Sequence, residues 1–523
     1  MHTPRLLRTS GTVLAVAGLM LSACTTGGST RSAAASSPAG SLGGPPPSGA
    51  AADSYGDLRS YYEQSLSWRE CKDMPGMQCA TMKVPLDYAH PSAATDLKLA
   101  VARKRAGDGG KRLGTLLVNP GGPGGSAIDY LQYAAFGYPS AVTSRYDMAA
   151  IDPRGVARSE PVECLSDSQM DAFAATDVTP DDGAEVNALV AADKKFADGC
   201  EQRSAKLLKH VSTVESARDM DVFRALVGDR KLNYVGKSYG TFLGATYAEL
   251  FPDKAGRLVL DGAVDPSISA LDASRGQASG FETAFDAFAA DCITHRDCPL
   301  GTKSTADAGR RLDALFKQLD GKPLNTGSSR KLTEALGTTG VIAAMYDESM
   351  WPTLSTALTK ANKGDGSGLL TLSDTYYERD DRGHYGNLMF ANAAVNCLDL
   401  PPALSGPQAA EQSVSAFTAE SPLFGKNLAW SSMICTYWAV PPTGKPHRIE
   451  AAGADPILVV GTTRDPATPY AWAKSLAGQL DSGVLLSYNG DGHTAYARGS
   501  NCIDSAVNRY LLEGTPPADG KTC

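Results

Sequence analysis

The chain has 523 residues and a formal net charge of −8 at pH 7. An acidic chain lacks the basic surface that binding to nucleic acid requires, so we expect no nucleic-acid partner. The length exceeds what one small hydrophobic core can organise, which predicts either one large domain with an insertion or two domains.

Residues 1–24 have the pattern of a targeting segment. A basic start precedes an apolar run at 13–21 that is too short to span a bilayer, and the segment ends in Leu-Ser-Ala-Cys. This ending resembles a bacterial lipobox, so we expect Cys24 to carry a lipid; the alternative is a plain secretory signal with an incidental Cys24. Residues 25–52 are rich in Ser, Gly, Pro and Ala and predict a flexible tether. The expected location is the cell surface, on the outer face of the cytoplasmic membrane, with the lipid anchor as the only membrane contact.

Ten cysteines besides Cys24 predict a disulfide framework of up to five bridges in an oxidising compartment. The pairing is not fixed by the sequence, but the separations suggest 71/79, 164/200, 292/298, 397/435 and 502/523. The chain has no C-x-x-C pair and only seven histidines, so we expect no metal site and no cofactor.

Alternating strand and helix patterns occupy the first folded part, residues 53–265. Residues 96–105 alternate apolar and polar side chains, which predicts an edge strand. Residues 115–118 and 148–151 are short apolar runs, typical of strands buried on both faces of a parallel sheet. The first run leads into a glycine-rich loop, Asn119–Ser126, which lacks the spacing of nucleotide-binding loops.

The sequence Gly-Lys-Ser-Tyr-Gly at 236–240 lies between an apolar run at 232–235 and a helical pattern. A G-x-S-x-G motif in this setting places its serine at the apex of a strained turn, with the hydroxyl pointing away from the sheet. The glycines are needed because strand and helix approach too closely there for a Cβ. Ser238 is therefore the candidate nucleophile, although the motif alone also arises by chance in glycine-rich chains.

From about residue 266 to residue 452 the strand patterns disappear and helical patterns dominate, which predicts an inserted, mainly helical cap. Strands resume at 457–461 and 484–488. An interrupted and resumed sheet predicts one mostly parallel α/β domain, formed by 53–265 and 453–523, with the cap between its two parts.

A serine hydroxyl becomes a nucleophile when a base takes its proton and a carboxylate orients that base. Loops after parallel strands converge at one edge of the sheet. Asp465 follows the first of the resumed strands and His493 follows the second. The chain order Ser, Asp, His is the one that the nucleophile-elbow fold uses. Asp261 or Asp265, one strand earlier, is the alternative acid.

The oxyanion that forms during acyl transfer needs two fixed N–H donors. We predict the first from Tyr239, directly after the candidate nucleophile, and the second from Gly122 in the glycine-rich loop. Losing one such donor typically lowers turnover by about 10²–10³.

These motifs together resemble those of the secreted tripeptidyl aminopeptidases of actinobacteria, α/β-hydrolases related to prolyl aminopeptidase. The resemblance covers roughly residues 60 to 523. It implies an α/β-hydrolase fold and a serine mechanism through an acyl-enzyme that removes short peptides, often tripeptides, from free N-termini. The residues that carry it are Val84-Pro85-Leu86-Asp87-Tyr88, Asn119–Ser126, Asp152-Pro153-Arg154-Gly155, Gly236–Gly240, Trp351-Pro352, Asn396-Cys397-Leu398-Asp399 and the loops of Asp465 and His493.

An exopeptidase must bind the ammonium group of its substrate, so we expect carboxylates in the cap to do this. Asp399 is the first candidate, because a bridge at Cys397 would fix its position, and Glu348 and Asp347 follow. The alternative is that these acids only cap helices.

The sequence thus predicts an extracytoplasmic serine aminopeptidase that acts on peptide or protein N-termini. An esterase or lipase with the same triad is the second hypothesis, because a fold does not fix the substrate. A non-catalytic, lipid-anchored binding protein is the third, and the complete set of nucleophile, base and acid speaks against it. Residue preference, endopeptidase activity and oligomeric state stay open.

Overall fold

The computed structural model describes residues 58–107 and 111–523. The predicted leader with Cys24 and the predicted tether at 25–52 lie outside the described residues. The described residues fall within one unit, Ala51–Cys523. None of the helices in the described part of the chain has the length and apolar character that crossing a membrane requires.

Ten strands of the described part of the chain form one sheet. They are β1 (Arg69–Glu70), β2 (Gln78–Val84), β3 (Leu97–Lys104), β4 (Gly114–Asn119), β5 (Tyr146–Ile151), β6 (Leu232–Lys237), β7 (Ala255–Asp261), β8 (Ile457–Arg464), β9 (Gly483–Asp491) and β10 (Lys521–Thr522). Their order is β1-β2-β3-β5-β4-β6-β7-β8-β9-β10. The first three strands pair antiparallel with their neighbours, and the pairs from β5 to β10 are parallel. The sheet is therefore mostly parallel, as predicted.

Helices lie before, between and after these strands. They are α1 (Arg59–Tyr62), α2 (Ala127–Gly137), α3 (Ser140–Thr143), α4 (Asp167–Ala174), α5 (Gly183–Leu208), α6 (Thr213–Leu226), α7 (Tyr239–Leu250), α8 (Ala270–Cys292), α9 (Thr305–Gly321), α10 (Glu334–Met345), α11 (Trp351–Ala361), α12 (Ser367–Tyr376), α13 (Leu388–Asp399), α14 (Pro407–Glu420), α15 (Gly425–Ser431), α16 (Tyr470–Gln479) and α17 (Asn501–Glu513).

The central strands are buried on both faces because helices cover both sides of the sheet. In β4, Leu117 belongs to the same apolar cluster as Leu243 of α7, and the next residue, Val118, belongs to the cluster on the other face, with Ile128 of α2 and Val507 of α17. All six residues of β4 and all six of β5 are buried. This two-sided burial explains the continuous apolar runs in the sequence.

The prediction of an edge strand at 96–105 was wrong. Strand β3 lies inside the sheet, where it pairs with β2 (Met82 opposite Leu99) on one side and with β5 (Val101 opposite Ile151) on the other. Alternation reports that one face of a strand is solvated, and Lys98 is indeed exposed. The alternating pattern does not show whether another strand pairs alongside. The sequence did not predict β2, so β3 was expected at the edge of the sheet.

Residues 262–456, between β7 and β8, contribute no strand to the sheet, and α8 to α15 lie here. Several of these helices share an apolar cluster of their own, which includes Phe285 of α8, Leu312 of α9 and Val341 of α10. The boundaries predicted at residues 266 and 452 stay predictions.

Five disulfides occur among the described residues, and each joins a pair that the sequence separations suggested: Cys71–Cys79, Cys164–Cys200, Cys292–Cys298, Cys397–Cys435 and Cys502–Cys523. The last bridge ties the first turn of α17 to the C-terminal residue of the chain. Covalent links of this kind are typical of proteins that fold outside the cytoplasm.

Arg154, in the loop after β5, is fully buried. Its Nε and Nη2 atoms donate to the two carboxylate oxygens of Asp219 in α6, both at 2.8 Å. The remaining donors go to the backbone carbonyls of Pro85, Leu86 and His210. The guanidinium therefore holds three segments of the chain to α6 through hydrogen bonds that bulk water cannot replace.

Arg154→Met is expected to lower the free energy of unfolding by about 3–5 kcal/mol, because the charge of Asp219 stays buried without its partner. The control is Lys231→Met, which breaks an exposed ion pair with Asp455 and should cost less than about 1 kcal/mol. Urea unfolding measures both. Equal losses in the two variants would contradict the assigned role of Arg154.

Candidate active site

The candidate residues meet at the edge of the sheet where the parallel strands end. Ser238 directly follows β6, Asp465 directly follows β8, and His493 comes two residues after the end of β9. The glycine-rich loop begins after Asn119, the last residue of β4. Strand order places β4, β6, β7, β8 and β9 side by side, so their loops converge.

Ser238 occupies a sharp turn between β6 and α7. Its backbone has φ 55° and ψ −126°, a conformation that L-residues rarely adopt. Its N–H donates to the carbonyl of Asp261 at 2.9 Å, which fixes the turn to β7. A Cβ on Gly236 would overlap the carbonyl oxygen of Gly240. The turn is thus the strained strand-to-helix geometry that the motif predicted, with Ser238 half-buried at its apex.

His493 and Asp465 form a hydrogen-bonded pair. The Nδ1 atom of His493 lies 2.9 Å from each carboxylate oxygen of Asp465. The carboxylate also accepts from the backbone N–H groups of Ala467, Thr468 and Thr494 and from the hydroxyl of Thr468. These donors hold the carboxylate in place, so Nδ1 carries the proton and Nε2 is the basic atom of the ring.

The Nε2 atom of His493 is buried and has no hydrogen-bond partner among the described residues. The ring lies against Gly262, where a Cβ would come within 3.1 Å of Cε1. Gly262 follows Asp261, the residue that holds the amide of Ser238. The structure therefore brings His493 to the serine turn without a hydrogen bond between the two side chains, and such bonds are often long before substrate binds.

The two alternative acids have other partners. Asp261 accepts from the backbone N–H groups of Ala495 and Tyr496. Asp265 accepts from Ser267 and from the side chain of Gln479. Asp465 is thus the carboxylate that contacts the imidazole.

Lys237 and Asp261 form a buried charge pair beside the serine. The Nζ atom of Lys237 lies 3.7 Å from Asp261 and donates to the carbonyl of Tyr496 at 2.9 Å. Burial lowers the pKa of Lys237 and raises the pKa of Asp261, and the attraction between the two charges opposes both changes. Because Asp261 also holds the amides after His493, the pair ties the histidine loop to the serine turn.

The glycine-rich loop passes directly over Ser238. A Cβ on Gly121 would lie 2.5 Å from the carbonyl of Lys237 and 2.7 Å from Cβ of Ser238. Tyr239 begins α7, and the first amides of a helix have no partner within it. The amides of Gly122 and Tyr239 thus belong to the two segments that flank the serine hydroxyl.

Tyr346, after α10, contacts the histidine from the helical segment. Its carbonyl accepts the backbone N–H of His493 at 2.8 Å. Its ring lies edge-on to the imidazole, with a centroid separation of 5.5 Å. No sequence motif marks Tyr346, so sequence reasoning missed it.

Asp399 lies inside the protein rather than in an open cleft. One carboxylate oxygen accepts the backbone N–H of Thr213 at 2.9 Å, and the other accepts its hydroxyl at 2.5 Å. The same hydroxyl lies 2.6 Å from the phenol oxygen of Tyr239. Burial raises the pKa of Asp399 to about 7. This placement favours a positioning role, in which Asp399 supports the residue after the serine.

Glu348 is exposed in a short turn, Glu348–Met350, close in sequence to Tyr346. Asp347 pairs with Arg498 at 2.9 Å and caps that turn through the amide of Ser349. Both acids therefore lie near the histidine loop, and only Glu348 is fully open to solvent.

Two groups of side chains within the described residues can present several ligands to one cation. They are Asp87, His210 and Glu215, and Asp177, Asp320 and Glu334. In the first group the guanidinium of Arg154 lies 3.5 Å from Glu215, which disfavours a second cation. Neither group contains a residue of the candidate site.

Lys237→Met is expected to lower the free energy of unfolding by about 3–5 kcal/mol, because it leaves Asp261 charged and unpaired in the interior. The double variant Lys237→Met with Asp261→Asn removes both charges, and we expect it to be more stable than Lys237→Met alone. Chemical unfolding of the two variants measures this difference. A double variant that is no more stable than Lys237→Met would contradict a charge pair.

Known proteins resemble this chain over most of its length. A family model described as "TAP-like protein" matches residues 421–523, which include Asp465 and His493. Serine protease Hip1 of Mycobacterium tuberculosis is 36% identical over 490 residues, which cover 88% of this chain and 91% of that protein. Carboxylesterase B of the same species is 38% identical over 479 residues, covering 87% and 89%.

Tripeptidyl aminopeptidase of Streptomyces coelicolor is 30% identical over 486 residues, which cover 88% of this chain and 86% of that protein. Similarity of this extent, together with the fold and the converging loops, establishes the relationship. The chain belongs to the tripeptidyl aminopeptidase family of α/β-hydrolase serine peptidases and is a serine hydrolase.

Proposed function

We propose that this protein is an aminopeptidase that releases short peptides, chiefly tripeptides, from free N-termini. Ser238 is the nucleophile, His493 the general base and Asp465 the acid that orients the base. One observation carries the assignment: Nδ1 of His493 contacts both oxygens of Asp465, while Nε2 is unpartnered beside the serine turn.

The first half of the reaction forms an acyl-enzyme. The Oγ atom of Ser238 attacks the scissile carbonyl as its proton moves to Nε2 of His493, and Asp465 stabilises the resulting imidazolium. The amides of Tyr239 and Gly122 donate to the oxyanion. When the intermediate collapses, the C–N bond breaks and the imidazolium gives its proton to the leaving amine.

The second half regenerates the enzyme. Water attacks the acyl carbon while His493 takes one of its protons, and the C–O bond to Ser238 breaks. The proton returns to the serine oxygen and the short peptide leaves with a free carboxyl group. Each step uses the same base and the same two amides, so one fixed geometry serves both halves.

Peptide substrates are supported by the relatives that are named as a serine protease and as a tripeptidyl aminopeptidase. Tyr346, which belongs to the helical segment between β7 and β8, covers one side of the base, so this segment is placed to contact the substrate. An esterase is the second candidate, because a relative with 38% identity is named carboxylesterase B. The two activities share the triad and differ in what the surrounding side chains bind.

The proposed location is the cell surface, with a lipid on Cys24 as the anchor. Five disulfides support an oxidising compartment. The lipid itself rests on the sequence of the leader, which lies outside the described residues.

The proposed specificity predicts that a tripeptide 4-nitroanilide with a free N-terminus is cleaved much faster than its N-acetylated form. The reason is that the free substrate offers a charge that a carboxylate can bind. Release of nitroaniline measures both rates. Equal cleavage of the two forms, or cleavage of simple esters alone, would contradict the proposal and favour the esterase.

Asp465→Asn is expected to lower kcat by about 10⁴, the loss typical when asparagine replaces the acid of a serine-protease triad and stabilises the wrong tautomer. Asp265→Asn is the matched control and should change kcat by less than about tenfold, because Asp265 contacts Ser267 and Gln479 instead. Steady-state kinetics on the free tripeptide substrate test both. A greater loss of kcat in Asp265→Asn than in Asp465→Asn would refute the assignment of Asp465 as the acid.

A further inference from the structure

Acidic side chains on the elements around the catalytic loops mostly carry an arginine partner. The pairs are Asp129–Arg158, Asp347–Arg498 and Asp491–Arg464, with closest distances of 2.7, 2.9 and 2.6 Å. Among the described residues, Glu348 forms no such pair but lies within electrostatic range of Arg464. Glu378, after α12, differs from these acids. It is exposed, and within residues 58–107 and 111–523 no lysine, arginine or histidine forms an ion pair with it. Its carboxylate is therefore open to a cation from outside the chain.

The backbone of Glu378 is strained. Its φ of 54° lies in the left-handed region, which is uncommon for a residue with a long side chain. A surrounding turn imposes this conformation, since Glu378 donates to the carbonyl of Thr375 and accepts from the amide of Gly386. Strain of this kind concentrates at functional sites, and at this position it aims a carboxylate.

Glu378 lies next to the start of α13, which rests on the glycine-rich loop. A Cβ on Gly386 would overlap the carboxylate of Glu378, so the glycine makes room for it. The amide of Leu388 faces the same carboxylate. The carbonyl of Leu388 in turn touches Gly124, where a Cβ would overlap it. One residue, Leu388, thus contacts both Glu378 and the loop that passes over Ser238.

A line of aromatic rings leads from the base to Glu378. Tyr346 packs on His493, Tyr376 packs on Tyr346 at 6.2 Å, and Tyr377 packs on Tyr376 at 5.6 Å. Glu378 follows Tyr377 directly. Glu378 is thus separated from the base by several aromatic rings, and this separation suits the N-terminus of a short peptide better than that of a single residue.

Neighbouring groups partly shield the carboxylate of Glu378, although the residue is exposed. Burial raises the pKa of Glu378, Asp129 adds to the rise, and the amide of Leu388 opposes it. An arriving ammonium group would relieve the cost of an unpaired, partly dehydrated carboxylate.

We propose that Glu378 binds the α-ammonium group of the peptide substrate and so determines that the enzyme acts on free N-termini. This inference rests on the aminopeptidase function proposed above and identifies the residue that binds the N-terminus of the substrate. It differs from the sequence prediction, since both oxygens of Asp399 already hold Thr213. A primary ammonium group has three N–H donors and no acceptor, and an ionised carboxylate only accepts, so the two groups are complementary.

The test compares Ala-Ala-Ala 4-nitroanilide with a free, an acetylated or a succinylated N-terminus. For Glu378→Gln we expect kcat/KM on the free substrate to fall by about 30-fold through KM, the size typical of a lost charge-assisted hydrogen bond. Cleavage of the acetylated substrate and labelling of the nucleophile by a fluorophosphonate should stay unchanged. Glu378→Lys should prefer the succinylated substrate, whose terminal carboxylate complements lysine.

Asp286→Asn is the control, because Asp286 in α8 is also an exposed acid whose pKa is raised by burial. Its ratio of free to acetylated cleavage should equal that of the wild type. An unchanged ratio in Glu378→Gln, or equal losses on both substrates with normal labelling, overturns the inference and leaves the aminopeptidase standing. A wild-type enzyme that cleaves both forms equally overturns the aminopeptidase as well.

Discussion

Backbone crowding where β6 turns into α7 determines the geometry of the whole site. Ser238 is held at φ 55°. A Cβ on Gly236 would overlap the carbonyl oxygen of Gly240, and a Cβ on Gly240 would lie 2.8 Å from the side chain of Asn119. Gly121, in the loop after β4, packs onto the same turn. Only a glycine fits there, because a Cβ would collide with Ser238. This constraint fixes nucleophile and glycine-rich loop against each other before any substrate arrives, which is what preorganised stabilisation of an oxyanion requires.

Charges and hydrogen bonds from distant parts of the chain then bring the base to that turn. Lys237 and Asp261 tie the loop after His493 to the serine turn, and Tyr346 holds the histidine amide from the helical segment. The sequence could not predict these contacts, because each joins residues that are far apart in the chain and no local pattern records the pairing. The role of Asp399 could not be predicted for the same reason, since only the fold shows that its carboxylate accepts a hydrogen bond from Thr213.

The sequence did predict the features that depend on local pattern. Two-sided burial of parallel strands leaves continuous apolar runs, so β4, β5, β6 and β8 were recognised, and short separations suggested the five disulfides. Loop position after a strand brought Asp465 and His493 to one edge, where the structure has them 2.9 Å apart. The prediction that β3 is an edge strand was wrong, because an alternating pattern shows that one face is exposed to solvent and does not show whether another strand pairs alongside.

The nucleophilic role of Ser238 is the central claim, and covalent labelling tests it most directly. The folded wild-type protein is treated with a fluorophosphonate, and the modified residue is located by peptide mass spectrometry. The account predicts one adduct, on Ser238, whose formation stops in Ser238→Ala and slows strongly in Asp465→Asn. An adduct on another residue, or unchanged hydrolysis of peptide by Ser238→Ala, would contradict it.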